Sequence, residues 1–535
     1  MSADDLFVTC LRGEEDLRDY QRDILIPFLL ANPKSGGYVG MGLGKTVSVL
    51  TLLDKIVDSG EIDPFGDDHV LIVAPLRVAL TTWPDEFKLW RHICYLPHQV
   101  IRPDAADPRV KVAYRATREA EMVAIRADPL YAAVEQAVRN FIPKYSAATQ
   151  AARKAETATL ELIRQEMAQS PKLIHIINRE RFEWIVDFWS TKKRWPYKVV
   201  IFDESTSFAD HETGRWKAAR KIMPHTRRIH LLSGTPCPEG VQQLFPQVFL
   251  LDGGKRLGVN VTTFRRNYMM PKPYTRGWVP QIGAAERCAD KIADICIIMN
   301  EDDYLPMEKP ILVDRPFQMS DELVARYKAF ERDLILDLPD GTELEAETAG
   351  VLNQKLLQFS SGFVYEKDVT TGKNKVHWLH EDKIEDLKQI LAEAAEMNSP
   401  VLVAYFYQPT LKRLRETFPK AVVLDRSGSQ VKAWNAGKIP ILLAHPQSAG
   451  HGLNMQLGPG HVLVFHEVPP SLEGYQQIIK RLARPGQKKI VRVYHQFAKG
   501  TREQDLVPKL KNKDDLQEWM KKLIMDFRAK MKARA

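Results

Sequence analysis

Three short stretches carry residues whose types and spacing can move a phosphoryl group. The first, VGMGLGKTVSVLTLL from Val39 to Leu53, fits G-x-x-x-x-G-K-[ST] at Gly44, Lys45 and Thr46, with Val39 in place of the first glycine. A phosphate cradle needs backbone N–H groups converging at a helix N-terminus, a lysine for charge and a hydroxyl for Mg²⁺. Gly42 and Gly44 let the backbone come close, and Lys45 and Thr46 supply the rest. The Val39 position needs only a residue that permits the turn, so the chemistry survives the departure. The second stretch, VVIFDES, sets Asp203 and Glu204 directly after an apolar run. One carboxylate can anchor Mg²⁺ while its neighbour orients or deprotonates the attacking water. The third, YQQIIKRLARPGQ, spaces Arg481 and Arg484 one helical turn apart, so that both guanidinium groups project from one face and can neutralise a transferring phosphoryl group. Alone, an Asp-Glu pair is an ordinary solvated turn and an arginine pair an ordinary surface helix. In this company they describe phosphoryl transfer from a bound nucleotide to water.

These residues need a scaffold, and the apolar runs outline one. VLIVAP from Val70, KVVIFDES from Lys198 and RIHLLSGTP from Arg228 form one set. PVLVAYF from Pro400, KAVVLD from Lys420, IPILLAH from Ile439, HVLVFHE from His461 and IVRVYHQF from Ile490 form another. Continuous apolar strands separated by helix-length segments predict an α/β protein with two parallel sheets covered on both faces. The first lobe is expected over 1–254, a Gly- and Pro-rich linker over 255–310 and the second lobe over 311–505. Helical insertions are expected at about 129–170, where Pro143 would divide a protruding hairpin, and at about 320–378, opening on Ser320 as N-cap. The final segment, 506–535, puts Leu516, Trp519, Met520, Leu523, Ile524 and Phe527 on one helical stripe that would dock on the second lobe.

Composition bounds the function. A chain of 535 residues exceeds one core. With 44% hydrophobic and 27% charged residues it is ordinary for a globular protein, and it has no apolar run long enough to span a membrane and no signal-like start, so an intracellular protein is expected. Five cysteines (Cys10, Cys94, Cys237, Cys288, Cys296) lack any C-x-x-C spacing, which argues against a disulfide framework or a structural zinc. The net charge of +8 suits an anionic partner such as nucleic acid. The last 30 residues carry nine Lys/Arg against four Asp/Glu. His377 and His380 have metal-like spacing, but without a cysteine cluster they are expected to be surface histidines.

Further stretches complete a pattern. LRDYQRD with Gln21 precedes the phosphate loop, and LIVAPLRVALTTWPDEFKLW with Trp83, Glu86, Phe87 and Trp90, IIN from Ile176, LLSGTP from Leu231, KLLQFSSGFVY, AHPQSAGHGLNMQ from Ala444 and QIIKRLARPGQ from Gln477 follow it in order. Together they resemble the motifs of superfamily 2 helicase-like ATPases of the SWI/SNF type over roughly Asp16 to Leu506. DGGKRLG and AHPQSAGHGLN look most like stand-alone phage and prophage members. The resemblance implies two tandem RecA-like lobes that bind ATP and Mg²⁺ and track along DNA, more readily double-stranded, through its backbone, as a monomer in a bacterial or phage-infected cytoplasm. It implies that Gln21 reads adenine, that Gly42, Gly44, Lys45 and Thr46 hold the phosphates, and that Thr46 and Asp203 hold Mg²⁺. It also implies that Glu204 activates water, that Gln477, Arg481 and Arg484 act from the second lobe, and that Ser233, Thr235 and Gly452 couple ATP state to DNA grip.

The sequence departs from that pattern at two places. Gly40 stands where this branch usually carries an acidic residue, and Ser205 and Thr206 stand where many relatives carry Ala-His. Two other readings share the motifs. A strand-separating helicase would need a wedge, for which the insertion at 129–170 is the candidate. An ATP-switched nucleic-acid-binding scaffold would need neither the arginines nor both carboxylates.

Overall fold

The computed structural model describes residues 11–40, 42–126, 147–234, 236–272, 277–305, 308–333, 335–337, 343–345, 349–367, 374–425, 428–446, 453–512 and 522. The chain divides into two compact units, one formed by 1–35, 46–204 and 210–231, the other by 36–45, 205–209 and 232–535.

Seven strands form the first large sheet, in the order His98–Val100, Ile174–Asn178, His69–Ala74, Tyr197–Asp203, Arg228–Ser233, Lys34–Val39 and Cys296–Met299. In the earlier unit, His69–Ala74 pairs in parallel with both Ile174–Asn178 and Tyr197–Asp203. In the later unit, Lys34–Val39 pairs in parallel with Cys296–Met299. Strands such as Tyr197–Asp203 are buried along nearly their whole length, as a sheet covered on both faces requires. The stretch expected to be linker therefore holds ordered elements: helices Val261–Tyr268 and Ala284–Ile292, a small hairpin and the strand Cys296–Met299. Its glycines serve as turns between these pieces, Gly258 at φ +122° and Gly283 at +71°.

The second large sheet, wholly within the later unit, orders Ile311–Phe317, Arg492–Ala498, Val462–Phe465, Val401–Ala404, Ile441–Ala444 and Val422–Val423, all paired in parallel. Alternation along its strands feeds two cores. Leu402 and Ala404 join Trp434, Phe465 and Leu482 on one face, and Val401 and Val403 join Leu387, Leu414 and Val464 on the other. Each such buried aliphatic side chain contributes roughly 1.5–3 kcal/mol. Leu510 packs into the first of these cores. The six stripe residues from Leu516 to Phe527 lie outside the described residues.

Both insertions differ from expectation. The described arms of the first are Pro108–Arg126 and Ala147–Ala168, so it begins upstream of 129, and Pro143 lies outside the described residues. The second holds helices Asp321–Asp333 and Ala349–Ser360, but also two antiparallel hairpins, Ile335–Asp337 with Glu343–Glu345 and Phe363–Lys367 with Asn374–Trp378. Over Phe363–Lys367 the adjacent Phe363 and Val364 are both buried, on opposite faces of a short ribbon, which an extended strand provides. No helix among the described residues is long and apolar enough to cross a membrane.

Candidate nucleotide site

The phosphate loop leaves the strand Lys34–Val39 and enters helix Lys45–Asp58. Gly42 (φ +83°) and Gly44 (φ +71°) take the left-handed conformation that turns successive N–H groups toward one point. The Lys45 ammonium donates to the Val39 carbonyl at 2.7 Å and the Gly40 carbonyl at 3.3 Å, so it is held over its own loop. Val39 is fully buried and contributes its carbonyl to that clamp, which is a use for the position that glycine is not needed to fill. Within the earlier unit, Gln21 sits in the helical turn Gln21–Leu25 and donates through Nε2 to Ser48 Oγ at 3.2 Å. Its Oε1 accepts from the Arg18 N–H at 3.0 Å. The glutamine is thereby fixed against the helix that begins at the loop.

The carboxylate pair closes the strand Tyr197–Asp203. Trp83, fully buried, donates its indole N–H to Asp203 Oδ2 at 3.0 Å, and the Glu204 N–H donates to Asp203 Oδ1 at 3.1 Å. Both carboxylate oxygens are thus oriented by neutral donors. Glu204 itself takes φ +54°, a left-handed backbone that costs a non-glycine residue about 1–3 kcal/mol and persists only where its surroundings enforce it. The hard oxygen donors of Thr46 and Asp203 suit Mg²⁺.

In the later unit, Ser205 is fully buried and donates to Gln247 Oε1 at 2.8 Å. Gln247 Nε2 in turn donates to the carbonyls of Pro236 at 2.6 Å and Gln243 at 2.9 Å. This chain links Ser205, the residue after the carboxylate pair, to Pro236, the last residue of LLSGTP. Gln247, on helix Leu244–Asp252, was not legible in the sequence because its neighbours LFPQVFLL read as plain core. Ser233 is buried at the end of its strand. Thr235 and Gly452 lie outside the described residues.

Helix Leu472–Leu482 carries Gln477 and Arg481 but ends before Arg484, contrary to the expectation of one continuous helical face. The following Pro485 disfavours a helical conformation for the residue before it, and Ala483 leaves the helix at ψ 81°. The two arginines still converge: Arg481 and Arg484 each donate to the Leu453 carbonyl, at 3.4 and 3.3 Å, and Arg484 also reaches Asn454 Oδ1 at 3.1 Å. Gln477 donates to Glu473 Oε1 at 2.8 Å. A Cβ on Gly42 would stand 3.7 Å from an Arg484 guanidinium nitrogen. Burial pulls that guanidinium below the ordinary arginine range, and the Glu301 carboxylate opposes the shift.

Glu301 is the second residue that the motifs did not disclose. A Cβ on Gly40 would lie 2.7 Å from Glu301 Cγ, so the glycine leaves room for this glutamate, which accepts from Lys480 Nζ at 3.0 Å. Glu301 thus sets an acidic group beside Gly40. The only sequence signal was the absence of an acidic residue at position 40 itself. His377 and His380, expected at the surface, are instead largely buried and engaged separately, with Glu366 Oε2 at 2.7 Å and the Phe359 carbonyl at 2.8 Å. His377 lies within the hairpin, paired with Val364, and His380 lies against Phe359. No group of three His, Cys, Asp or Glu side chains among the described residues is arranged to hold a metal.

An SNF2-related domain family model matches residues 35–296, a span that includes the loop, the carboxylate pair and Ser233. Protein p41 of the Acyrthosiphon pisum secondary endosymbiont phage 1 is 30% identical over 517 residues, covering 94% of this chain and 97% of its own length. The SWI/SNF-related matrix-associated actin-dependent regulator of chromatin subfamily A-like protein 1 of Xenopus laevis is 24% identical over 339 residues, which is 59% of this chain and 32% of that protein. The solved Sulfolobus solfataricus SWI2/SNF2 ATPase core in complex with dsDNA aligns over 95% of both chains at 17% identity with a TM-score of 0.38. On its motifs and its full-length phage relative, the chain belongs to the SNF2-related, SWI/SNF-type family of superfamily 2 helicase-like ATPases.

Proposed function

We propose that the protein hydrolyses ATP when stimulated by DNA and uses the cycle to translocate on double-stranded DNA, in phage replication, recombination or repair. The observation that carries this reading is the guanidinium of Arg484 beside Gly42 of the phosphate loop. A conformational switch needs ATP to bind, whereas an arginine at the loop serves the charge that develops during phosphoryl transfer.

In this reading Gln21 reads adenine, and Gly42, Gly44, Lys45 and Thr46 cradle the phosphates. Thr46 and Asp203 would hold Mg²⁺, which when bound neutralises charge on the phosphate oxygens. Glu204 orients water and takes its proton as the water oxygen bonds to the γ-phosphorus and ADP leaves. Arg481 and Arg484 stabilise the phosphoryl oxygens, and Gln477 orders the same helix. Ser233, Thr235 and Gly452 transmit nucleotide state, with Gln247 connecting Ser205 to Pro236. Two RecA-like lobes, 1–254 and 311–505, would step along the phosphate backbone of one DNA as a monomer in the host cytoplasm.

The +8 charge supports a polyanionic track held through phosphates, and hence little sequence preference and steep weakening by salt. Displacement of a third strand from a triplex-bearing duplex tests translocation without requiring strand separation. The expected result is ATP-dependent displacement that Glu204→Gln abolishes. ATP turnover without any displacement would instead favour the switch.

A further inference from the structure

The segment after helix Val261–Tyr268 forms a small hairpin, Met269–Pro271 paired antiparallel with Trp278–Pro280. Its base is anchored: Phe264, Tyr268 and Met269 are buried, and Gln281 donates through Nε2 to the carbonyls of Arg266 at 3.2 Å and Met269 at 2.9 Å. Its outer surface is the opposite. Trp278 is 42% exposed, Met270 46% and Ile282 99%. Four cations lie on the hairpin and its flanking helices, Arg265, Arg266, Lys272 and Arg287, and none of them forms an ion pair among the described residues. The nearby acids Glu286 and Asp290, on helix Ala284–Ile292, form none either.

Two of the cations are set against aromatic rings. The Arg265 guanidinium lies 5.4 Å from the Trp278 ring centre, and that of Arg287 lies 5.8 Å from the Tyr268 ring. Arg287 is held there by the carbonyls of Ile282 at 3.0 Å and Asn267 at 3.2 Å. An indole with arginine beside it and unpaired cations around it matches an unstacked base flanked by phosphates, since each base offers a π-face and each phosphate a charge. An apolar protein partner would leave four cations without use at its rim.

We propose that this hairpin is a nucleic-acid contact that takes an unstacked base from a single-stranded or frayed end on Trp278, while Arg266, Lys272 and Arg287 meet the adjoining phosphates. The inference rests on the nucleic-acid reading above and adds to it a preference for strand ends. The test is equilibrium binding of the full chain, without ATP, to a blunt duplex and to the same duplex carrying a single-stranded tail. Trp278→Ala should weaken binding to the tailed duplex roughly 5- to 100-fold and to the blunt duplex less than about twofold, with Trp278→Phe close to wild type. Lys272→Ala should weaken both and lower the salt slope by about one. An unchanged melting temperature would show that the exposed Trp278 is not needed for folding.

If Trp278→Ala binds the tailed duplex as wild type does, the hairpin assignment is wrong while the motor reading stands. If polyglutamate displaces the tail as well as single-stranded DNA does, the surface takes an acidic protein and the assignment is again overturned. Wild-type protein that binds neither duplex overturns both readings together.

Discussion

The end of the strand Tyr197–Asp203 and the hairpin Met269–Pro280 both bring polar chemistry to an edge of the fold, but by different physics. Asp203 is buried, and each of its oxygens has a directed donor, Trp83 on one and the Glu204 backbone on the other. Of the cations in and beside the hairpin, Arg266, Lys272 and Arg287 are exposed and Arg265 is half-buried, and none has a carboxylate partner among the described residues. A buried polar group must be satisfied and is therefore held in one geometry, whereas exposed charges act by number and yield to salt. Substitutions at the first region should be steep and largely salt-independent, and those at the second shallow and salt-dependent.

The largest effect should come from Arg484→Ala, with ATP turnover falling roughly a thousandfold and nucleotide affinity little changed. Single-turnover hydrolysis beside nucleotide binding separates the two, and Arg484→Lys should restore only part because it loses the planar fork. Glu204→Gln should cost about a hundredfold or more in the hydrolysis step, with ATP still bound. Next comes the pair beside the loop. Glu301→Gln leaves the Lys480 ammonium without its carboxylate and should lower turnover by roughly tenfold, from the ~1.5–3 kcal/mol of a charged hydrogen bond. Combining Glu301→Lys with Lys480→Glu should recover part of the loss, a rescue that mere structural damage would not show.

Gln247→Leu should act on coupling rather than chemistry. It removes the link from Ser205 to Pro236, so basal hydrolysis should change less than about threefold while stimulation by duplex falls several-fold. That split, read from steady-state rates with and without DNA, would sharpen the contrast between positioned and collective polar groups.

The smallest effect on activity and a broad one on stability concern pH. Burial holds His175, His230 and His466 at about 3, far below the ordinary imidazole range. Their folded-state values are depressed, so the unfolded chain takes up protons first. Stability is full above about 6.5 and falls as pH drops from there toward 3, by roughly 1.4 kcal/mol per histidine per pH unit. Melting curves between pH 7 and 5 should show a steady decline, and simultaneous replacement of two of these histidines by glutamine should flatten it.

Much of this was legible in the residues. The apolar runs from Val70, Lys198 and Arg228 and those from Pro400 onward are strands, because a sheet covered on both faces leaves a continuous hydrophobic record. Lys45 opens helix Lys45–Asp58 and Asp203 closes its strand, positions their motifs led one to expect. What escaped reading is non-local. Glu301 meets Gly40 through the fold, Gln247 hides its amide in an apolar helix, and Cys296–Met299 is too short beside so many glycines and prolines to signal a strand. The helix end before Arg484 was readable from Pro485 but was outweighed by the i, i+3 spacing of the two arginines.

The most direct test of the central claim is steady-state ATP hydrolysis by the pure protein with no nucleic acid, with single-stranded DNA and with blunt duplex, using Glu204→Gln as the control. Strong stimulation by duplex over single strand, lost in the control, is the predicted result. No turnover under any of these conditions, or a rate that Glu204→Gln leaves unchanged, would contradict it.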